Sequence, residues 1–270
     1  MNGKWRAGLS GTLLALLLSA VGGPPAFAAA VDFEGTEGYS TGNLFGEPSS
    51  GNQWSGDDSA KIVVTNTQSQ SGGQSILLDP GLVSGKVDNE LDVGSVPTQF
   101  SMKFYWRPSG TGSGNATIYL TQFAGSPTGF AGPRIQFVAS GSVYQIKYVE
   151  NGVVGNIMLG MSPLVYMDKW WEVEILGDIS TRTFDFKLRK LDGALQFEGF
   201  GFGFRNTISN LATSLNYLGV EASNTGSSDH YFDDFQIDSA PAVPTLSVWG
   251  VLCLLALLVV VYLVWARRVA

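Results

Sequence analysis

The chain has 270 residues, of which 23 are acidic, 16 are basic and one is a cysteine, and its formal net charge at pH 7 is −7. All 23 acidic residues but only 12 of the basic ones lie within residues 31–238, which leaves this body with a net charge of −11. An acidic surface repels polyanions, so nucleic acid and anionic lipid are excluded as partners held by surface charge. Because Cys253 is the only cysteine, disulfides cannot stabilise the body.

The start of the chain has the features of a secretory signal peptide. Lys4 and Arg6 precede an apolar run, and Ala26 and Ala28 occupy the small positions of a cleavage motif. The run is interrupted by polar residues and is shorter than the ~20 apolar residues that a membrane span needs. We therefore expect residues 1–28 to direct export through the translocon and to be removed by signal peptidase.

The body, residues 31–238, has the pattern of an all-β domain. Short runs rich in Val, Thr, Tyr and Phe are separated by Gly, Ser, Asn and Asp. Apolar and polar residues alternate through 99–107 and 183–189, and Asn-Gly at 151–152 and Asp-Gly at 192–193 fit tight hairpin turns. About a dozen strands without a long amphipathic helix predict two antiparallel sheets packed as a jelly-roll sandwich. The other predicted strands are 31–34, 61–65, 74–79, 116–123, 134–138, 142–149, 153–159, 170–176, 194–200, 215–221 and 230–237.

Four segments of the body resemble a known fold family. They are VDFEG at 31–35, SGGQSILLDPG at 71–81, KWWEVEILGDISTRTFDFKL at 169–188 and YFDDFQI at 231–237. These segments are similar to landmarks of the concanavalin A-like and laminin-G-like jelly rolls of bacterial surface proteins. The resemblance covers most of the body and implies that its first and last strands are neighbours.

Acidic residues near the first strand, in a Gly/Ser-rich loop and in the last strand are candidate ligands for Ca²⁺. Hard cations bind carboxylate and carbonyl oxygens, and these residues would converge if the two terminal strands pair. The sequence contains no ordered Asp-x-Asp-x-Asp-Gly loop, so solvated surface carboxylates are the alternative interpretation. The preferred ligands are Glu34 and Asp234, and the further candidates are Asp32, Asp57 and Asp58.

Glu172 and Glu174 lie two residues apart on a predicted strand and therefore share one face, as a carboxylate pair of a glycoside hydrolase could. Their segment lacks the Glu-x-Asp-x-x-Glu pattern of hydrolases with this sandwich, which favours an exposed polar stripe. His230, the only histidine, has no Gly-x-Ser-x-Gly partner and cannot form a histidine metal site alone. We assign no catalytic residue, and a glycan hydrolase or lyase stays open as an alternative.

Aromatic residues give a better indication of function. Trp54, Tyr105, Tyr119, Tyr144 and Trp171 occupy loops or positions that can face away from the core. An aromatic face flanked by polar groups can stack against a sugar ring, although most aromatic residues of a sandwich belong to its core. The body is thus expected to be structural or adhesive, or to bind glycan.

The end of the chain contains a predicted membrane span. Residues 248–266 carry no charge, and at ~1.5 Å per residue they are long enough for a ~30 Å hydrocarbon core. Arg267 and Arg268 follow the span, and the positive-inside rule places residues 267–270 in the cytoplasm. The body would then face the periplasm from the inner membrane.

The linker before the span, residues 239–247, resembles the IPTL-CTERM sorting signal, in which Ile-Pro-Thr-Leu-Ser-x-Trp-Gly precedes an apolar helix and a basic tail. Proline disfavours helix before it, which keeps the motif extended at the membrane face. The resemblance implies that an exosortase cuts near the motif and passes the body to the Gram-negative cell surface, its matrix or its exopolysaccharide. A permanent single-span anchor is the alternative. The motif residues are Val243, in place of isoleucine, with Pro244, Thr245, Leu246, Ser247, Trp249 and Gly250.

Overall fold

The computed structural model describes residues 27–240 apart from residue 50 and the segments 58–59, 79–85, 126–130, 207–210 and 224–227. The predicted signal peptide before residue 27 and everything from residue 241 onward, including the sorting motif, the span and the basic tail, lie outside the described residues. In the part described, no helix is long and apolar enough to span a membrane.

The larger of two sheets has nine strands, each paired antiparallel to its neighbours. Eight of them form one continuous series of neighbouring strands. The ninth, β1 (Phe27–Val31), pairs with β16 and is not part of that series. In order across the sheet, the eight are β14 (Leu195–Gly203), β13 (Thr183–Lys190), β12 (Trp171–Asp178), β7 (Gln99–Ser109), β16 (Asp229–Ser239), β5 (Ser75–Leu78), β4 (Ile62–Thr65) and β2 (Gly42–Asn43).

The second sheet has seven antiparallel strands. A 3₁₀ turn (Gly35–Glu37) follows β1, and one short helix, α1 (Pro163–Tyr166), precedes β12. In order, the seven strands are β11 (Val153–Met161), β10 (Val143–Glu150), β9 (Ala131–Ser140), β8 (Ser113–Thr121), β15 (Tyr217–Ser223), β6 (Val87–Asp92) and β3 (Ser55–Gly56).

The core lies between the two sheets and follows the alternation of the sequence. Phe100, Met102, Phe104 and Trp106 of β7 are completely buried, as the period-2 pattern predicts. Phe104 meets Phe137 of β9 across the sandwich, with ring centroids 6.0 Å apart. One face of each strand therefore builds the core and the other face is free to build a site.

The predicted hairpins are confirmed. Asn151 and Gly152 have φ values of 48° and 82° and join β10 to β11. Gly193, with φ of 81°, belongs to the turn between β13 and β14. Asn and Gly adopt a positive φ at low energetic cost, which is why Asn-Gly and Asp-Gly dipeptides indicate these turns.

The first and last strands are neighbours, as the fold resemblance implies. Ala29 pairs with Ile237 and Val31 pairs with Phe235. The strand covers Phe27–Val31 and not the predicted 31–34. Its paired residues 29–31 all lie after the predicted cleavage site.

Candidate functional site

A groove crosses the outer face of the nine-stranded sheet where β12, β7, β16 and β1 lie side by side. Its volume is about 320 Å³, at the lower end of the ~300–1,000 Å³ typical of small-ligand sites. The half-buried ring of Tyr105 lies among charged and amide groups. The polar residues that line the groove are Asp32, Glu37, Lys103, Tyr105, Glu172, Asp234 and Gln236.

Strand register brings these residues together from distant parts of the sequence. Glu172 of β12 is directly opposite Tyr105 of β7, and Gln236 of β16 is opposite Lys103. Between Asp233 and Gln236 the register of β16 shifts, and Asp234 has φ of 51°. This bulge turns the Asp234 side chain toward the edge of the groove.

The groove is acidic. Glu37 accepts a hydrogen bond from the backbone N–H of Asp32 at 3.1 Å. Burial, and then its hydrogen bond with Asp32, raises the pKa of Glu37 to about 7. Burial is also the main cause that raises the pKa of Asp234, and the charges of Asp32 and Glu34 add to it. The groove thus combines several carboxyl groups, one of which, Glu37, titrates near neutral pH, with a phenol.

Three acidic residues near the groove hold the loop of residues 66–74. Glu34 Oε1 accepts hydrogen bonds from the backbone N–H groups of Gly73 and Gln74 at 2.8 and 3.0 Å. Asp234 Oδ1 accepts one from Ser71 Oγ at 2.7 Å, and buried Asp233 accepts one from the Gln70 N–H at 2.9 Å. The position of Asp233 depends on the bulge.

The residues predicted to bind Ca²⁺ are only partly brought together. Asp32, Glu34 and Asp234 are neighbours, whereas Asp57 follows β3 on the other sheet and accepts the Asp88 N–H at 3.1 Å. Asp58 lies outside the described residues. Across the described ranges, no three His, Cys, Asp or Glu side chains are placed to hold a metal ion. Glu34 and Asp234 serve here as acceptors for the loop, and the calcium site stays a prediction.

Glu172 and Glu174 share the outer face of β12, as predicted, but only Glu172 lines the groove. Arg189 is 3.7 Å from Glu172 and 3.6 Å from Glu174, and Lys103 is 3.7 Å from Glu174. These are the partly exposed ion pairs of a polar stripe, which typically contribute ~0–1 kcal/mol. The two glutamates therefore do not face each other across a cleft.

Of the five aromatic candidates, Tyr105 faces the groove and three belong to the core. Trp54, Tyr144 and Trp171 are 1%, 1% and 2% exposed, so the expectation that they face outward is wrong. Their large rings bury well, and their polar atoms find internal partners. The indole N–H of Trp171, for example, donates to the Tyr166 carbonyl at 3.2 Å.

Tyr119, the fifth aromatic candidate, belongs to a buried ionic cluster on the outer face of the seven-stranded sheet. Its hydroxyl donates to Glu90 Oε1 at 2.9 Å, and Arg134 lies 5.2 Å above its ring. Glu221 binds Arg134 at 2.6 Å and Lys86 at 2.9 Å. Glu90 and Glu221 are each 3% exposed, which makes this cluster part of the structure rather than an open site.

His230 is the second residue of β16 and is completely buried. Its ring stacks on Trp106, and Nδ1 accepts the indole N–H of Trp106 at 3.2 Å. Burial lowers the pKa of His230 to about 4, so the imidazole is neutral at physiological pH. His230 is therefore a core residue.

No family model matches the chain. No curated protein matches it either. Among solved structures, the globular domain of Trypanosoma cruzi calreticulin aligns with a TM-score of 0.51 and 11% identity over 80% of this chain and 88% of its own. A sialidase aligns with a TM-score of 0.50 and 11% identity over 79% of this chain.

The chain spans about a fifth of that sialidase, since the alignment covers 19% of it. A lectin from Bauhinia forficata, solved in complex with GalNAc, aligns with a TM-score of 0.44 and 10% identity over 70% of this chain and 99% of its own. At such low identities the likeness concerns the fold alone. The predicted all-β sandwich of two antiparallel sheets is confirmed.

Proposed function

We propose that the chain is the precursor of an exported β-sandwich protein that binds glycans at the cell surface or in its matrix. The observation that carries this proposal is the groove, where one half-buried aromatic ring lies among hydrogen-bonding groups on the outer face of a rigid sheet. Strands position side chains more firmly than loops do, which suits recognition of a preformed ligand.

The chemistry of the groove matches that of a sugar. Tyr105 offers an apolar ring face on which a pyranose can stack. Glu172 and Asp234 can accept hydrogen bonds from hydroxyl groups. The Gln236 amide both donates and accepts, and Lys103 donates, so the groove can satisfy several hydroxyl groups at once.

The test is glycan binding by the mature chain and two tyrosine variants. Tyr105→Ala removes the ring from the groove and is expected to weaken binding at least tenfold, whereas Tyr217→Ala alters a half-buried tyrosine on the other sheet and leaves binding unchanged. A glycan array identifies the ligand and calorimetry measures its affinity. Equal affinity for Tyr105→Ala and the parent chain would remove the groove as the binding site.

A glycan-active enzyme is the second candidate, favoured by Glu37. Hydrolysis of a glycosidic bond needs one carboxyl that is protonated near neutral pH and a second that is ionised. Glu37, with a pKa of about 7, and Glu172 line the same groove. Reducing ends released from a bound glycan, and lost in Glu37→Gln, would establish this activity, while a bound glycan that stays intact would rule it out.

Export and sorting complete the proposal. The signal peptide would deliver the body to the periplasm, the span would hold the precursor in the inner membrane, and an exosortase would cut near Pro244, Thr245 and Leu246. What supports this is the sequence resemblance of the tail, and the alternative is permanent anchoring by the same span. The body, with both of its terminal strands paired, is the part that would be released.

A further inference from the structure

Exposed apolar side chains are concentrated on one lateral side of the sandwich. Ten large apolar side chains in the described residues are exposed, and eight of them lie on β11, α1, β14 and the turn before β14. Leu164 is 89% exposed and Val153 is 70% exposed. We call the apolar side the surface formed by Val153, Val154, Leu159, Leu164, Leu195 and Phe200.

The two sheets meet beside these residues. β11 and β14 are the end strands of their sheets. Next to them, Tyr148 of β10 packs on Phe202 of β14, with ring centroids 5.0 Å apart. Val165 of α1 and Leu191 of the turn line one cavity of about 510 Å³, which joins the helix to the end of the nine-stranded sheet.

The opposite ends of the sheets finish differently. There the last strands, β2 and β3, have two residues each and present almost no free edge. On the apolar side, β11 and β14 have nine residues each, and among the described strands neither pairs with a further strand. Soluble proteins protect long edges with charge or proline, and an edge that is both long and apolar is a template for pairing.

The part of this edge that is regular enough to pair is the start of β11. Residues 153–156 pair with β10 without interruption, and the register shifts after that point. The two valines at 153 and 154 are exposed at 70% and 50%. A partner strand added here would cover them and use the free backbone N–H and C=O groups of the edge.

Charge indicates which partner this is. Residues 151–167 contain no charged side chain, although the body as a whole has a net charge of −11. Two copies of so acidic a body repel one another wherever their charges face. They can approach closely through this uncharged segment. An apolar patch that matches itself about a two-fold axis is the usual basis of a homodimer.

We propose that the apolar side is an interface between two copies of this chain, with β11 of one copy next to β11 of the other. The dimer keeps the groove of each copy on the sheet face, away from the interface strands. It therefore presents two ligand sites from one particle, which increases avidity for a repeating polymer. The interface does not depend on the groove's being a glycan site.

Cross-linking of the full chain in its native host tests the proposal. The single cysteine is first removed by Cys253→Ser, and Val154→Cys or Leu159→Cys is then introduced on the apolar side. Phe45→Cys is the matched control, because Phe45 is 43% exposed beside β2 at the far end of the sheet. A short bis-maleimide is expected to give a band of twice the chain mass for both apolar-side variants and only monomer for Phe45→Cys.

Equal dimer yield from Phe45→Cys, no dimer from either apolar-side variant, or a product heavier or lighter than two copies would each overturn the proposal. As a second measurement, sedimentation of the detergent-solubilised full chain is expected to show a dimer that Val154→Asp converts to monomer. A parent chain that sediments as a monomer at all concentrations would also overturn it. Tyr105→Ala is expected to leave the dimer intact, which separates this result from the glycan test.

Discussion

Asp233 is completely buried, and its carboxylate is held by backbone N–H groups rather than by a cation. It accepts hydrogen bonds from Gln70 at 2.9 Å and from Asp234 at 3.0 Å. Burial raises its pKa from the ordinary 3.8 to about 7, and the charge of Asp234 adds to the effect. Because the folded pKa is the higher one, the folded state keeps its proton over a pH range in which the unfolded chain has lost it.

The stability of the body is therefore expected to depend on pH. The contribution of Asp233 is complete below about pH 4 and is lost as the pH rises to about 7, and Glu37 titrates in the same window. The melting temperature of the parent chain should fall across this range, and it should fall less in Asp233→Asn. Asp192→Asn, in an exposed turn, is the control. Identical pH profiles for Asp233→Asn and the parent would contradict the assignment.

Side-chain roles were the least predictable feature from sequence. Trp54, Tyr144 and Trp171 satisfy their polar atoms inside the core, and Asp57 lies on the other sheet from Glu34. A one-dimensional pattern does not show which aromatic ring is covered by the opposite sheet. It also does not show which carboxylate accepts hydrogen bonds from a loop.

Strands with clear alternation were predicted, whereas a strand with a mostly polar sequence was missed. The β7 and β13 segments alternate cleanly and were identified, but β6 was not. The outward positions of β6 carry Asp88 and Glu90, which join the ionic cluster around Tyr119. The sequence of β6 is therefore mostly polar and does not indicate a strand. The groove was harder to predict than the strands, because four strands that are distant in sequence build it. Of their pairings, only that of the first and last strands was expected.

Gly177 is a packing requirement of β12. A Cβ atom at this position would lie 2.1 Å from the ring of Phe100 on the neighbouring strand β7. Gly177→Ala is expected to displace that buried ring and to lower the free energy of unfolding by about 1–3 kcal/mol, as overpacking of a core does. Urea denaturation measures the change.

Gly73→Ala is the matched control for this substitution, because the nearest atom to its added Cβ would be 3.8 Å away. It is expected to change the stability by less than about 0.5 kcal/mol, the usual range for surface positions. A Gly177→Ala variant as stable as Gly73→Ala would show that the two strands can separate without cost.

The whole molecule combines a compact acidic sandwich with two terminal segments that lie outside the described residues. The sandwich has its own core, and its first and last strands close the nine-stranded sheet next to the groove. The start and the end of the body are thus held together by the pairing of β1 with β16. In the proposed topology, the linker after β16 is the connection on which release from the membrane would depend.

Peptide mapping of the mature C-terminus tests the proposed sorting. Chains from the surface and the medium of the native host are expected to end between residues 242 and 247, and only when the exosortase is present. Pro244→Ala should reduce this processing, because proline keeps the motif extended. An intact end at Ala270 in every fraction would instead indicate a permanently anchored protein facing the periplasm.

The central claim is that the groove on the nine-stranded sheet holds a sugar. A crystal structure of the mature chain with the glycan selected on the array tests it most directly. We expect a pyranose ring against Tyr105, with its hydroxyl groups within hydrogen-bond distance of Glu172, Asp234 or Gln236. A glycan bound at the cavity of Trp170 and Trp171, or on the seven-stranded sheet, with the groove empty, would contradict it.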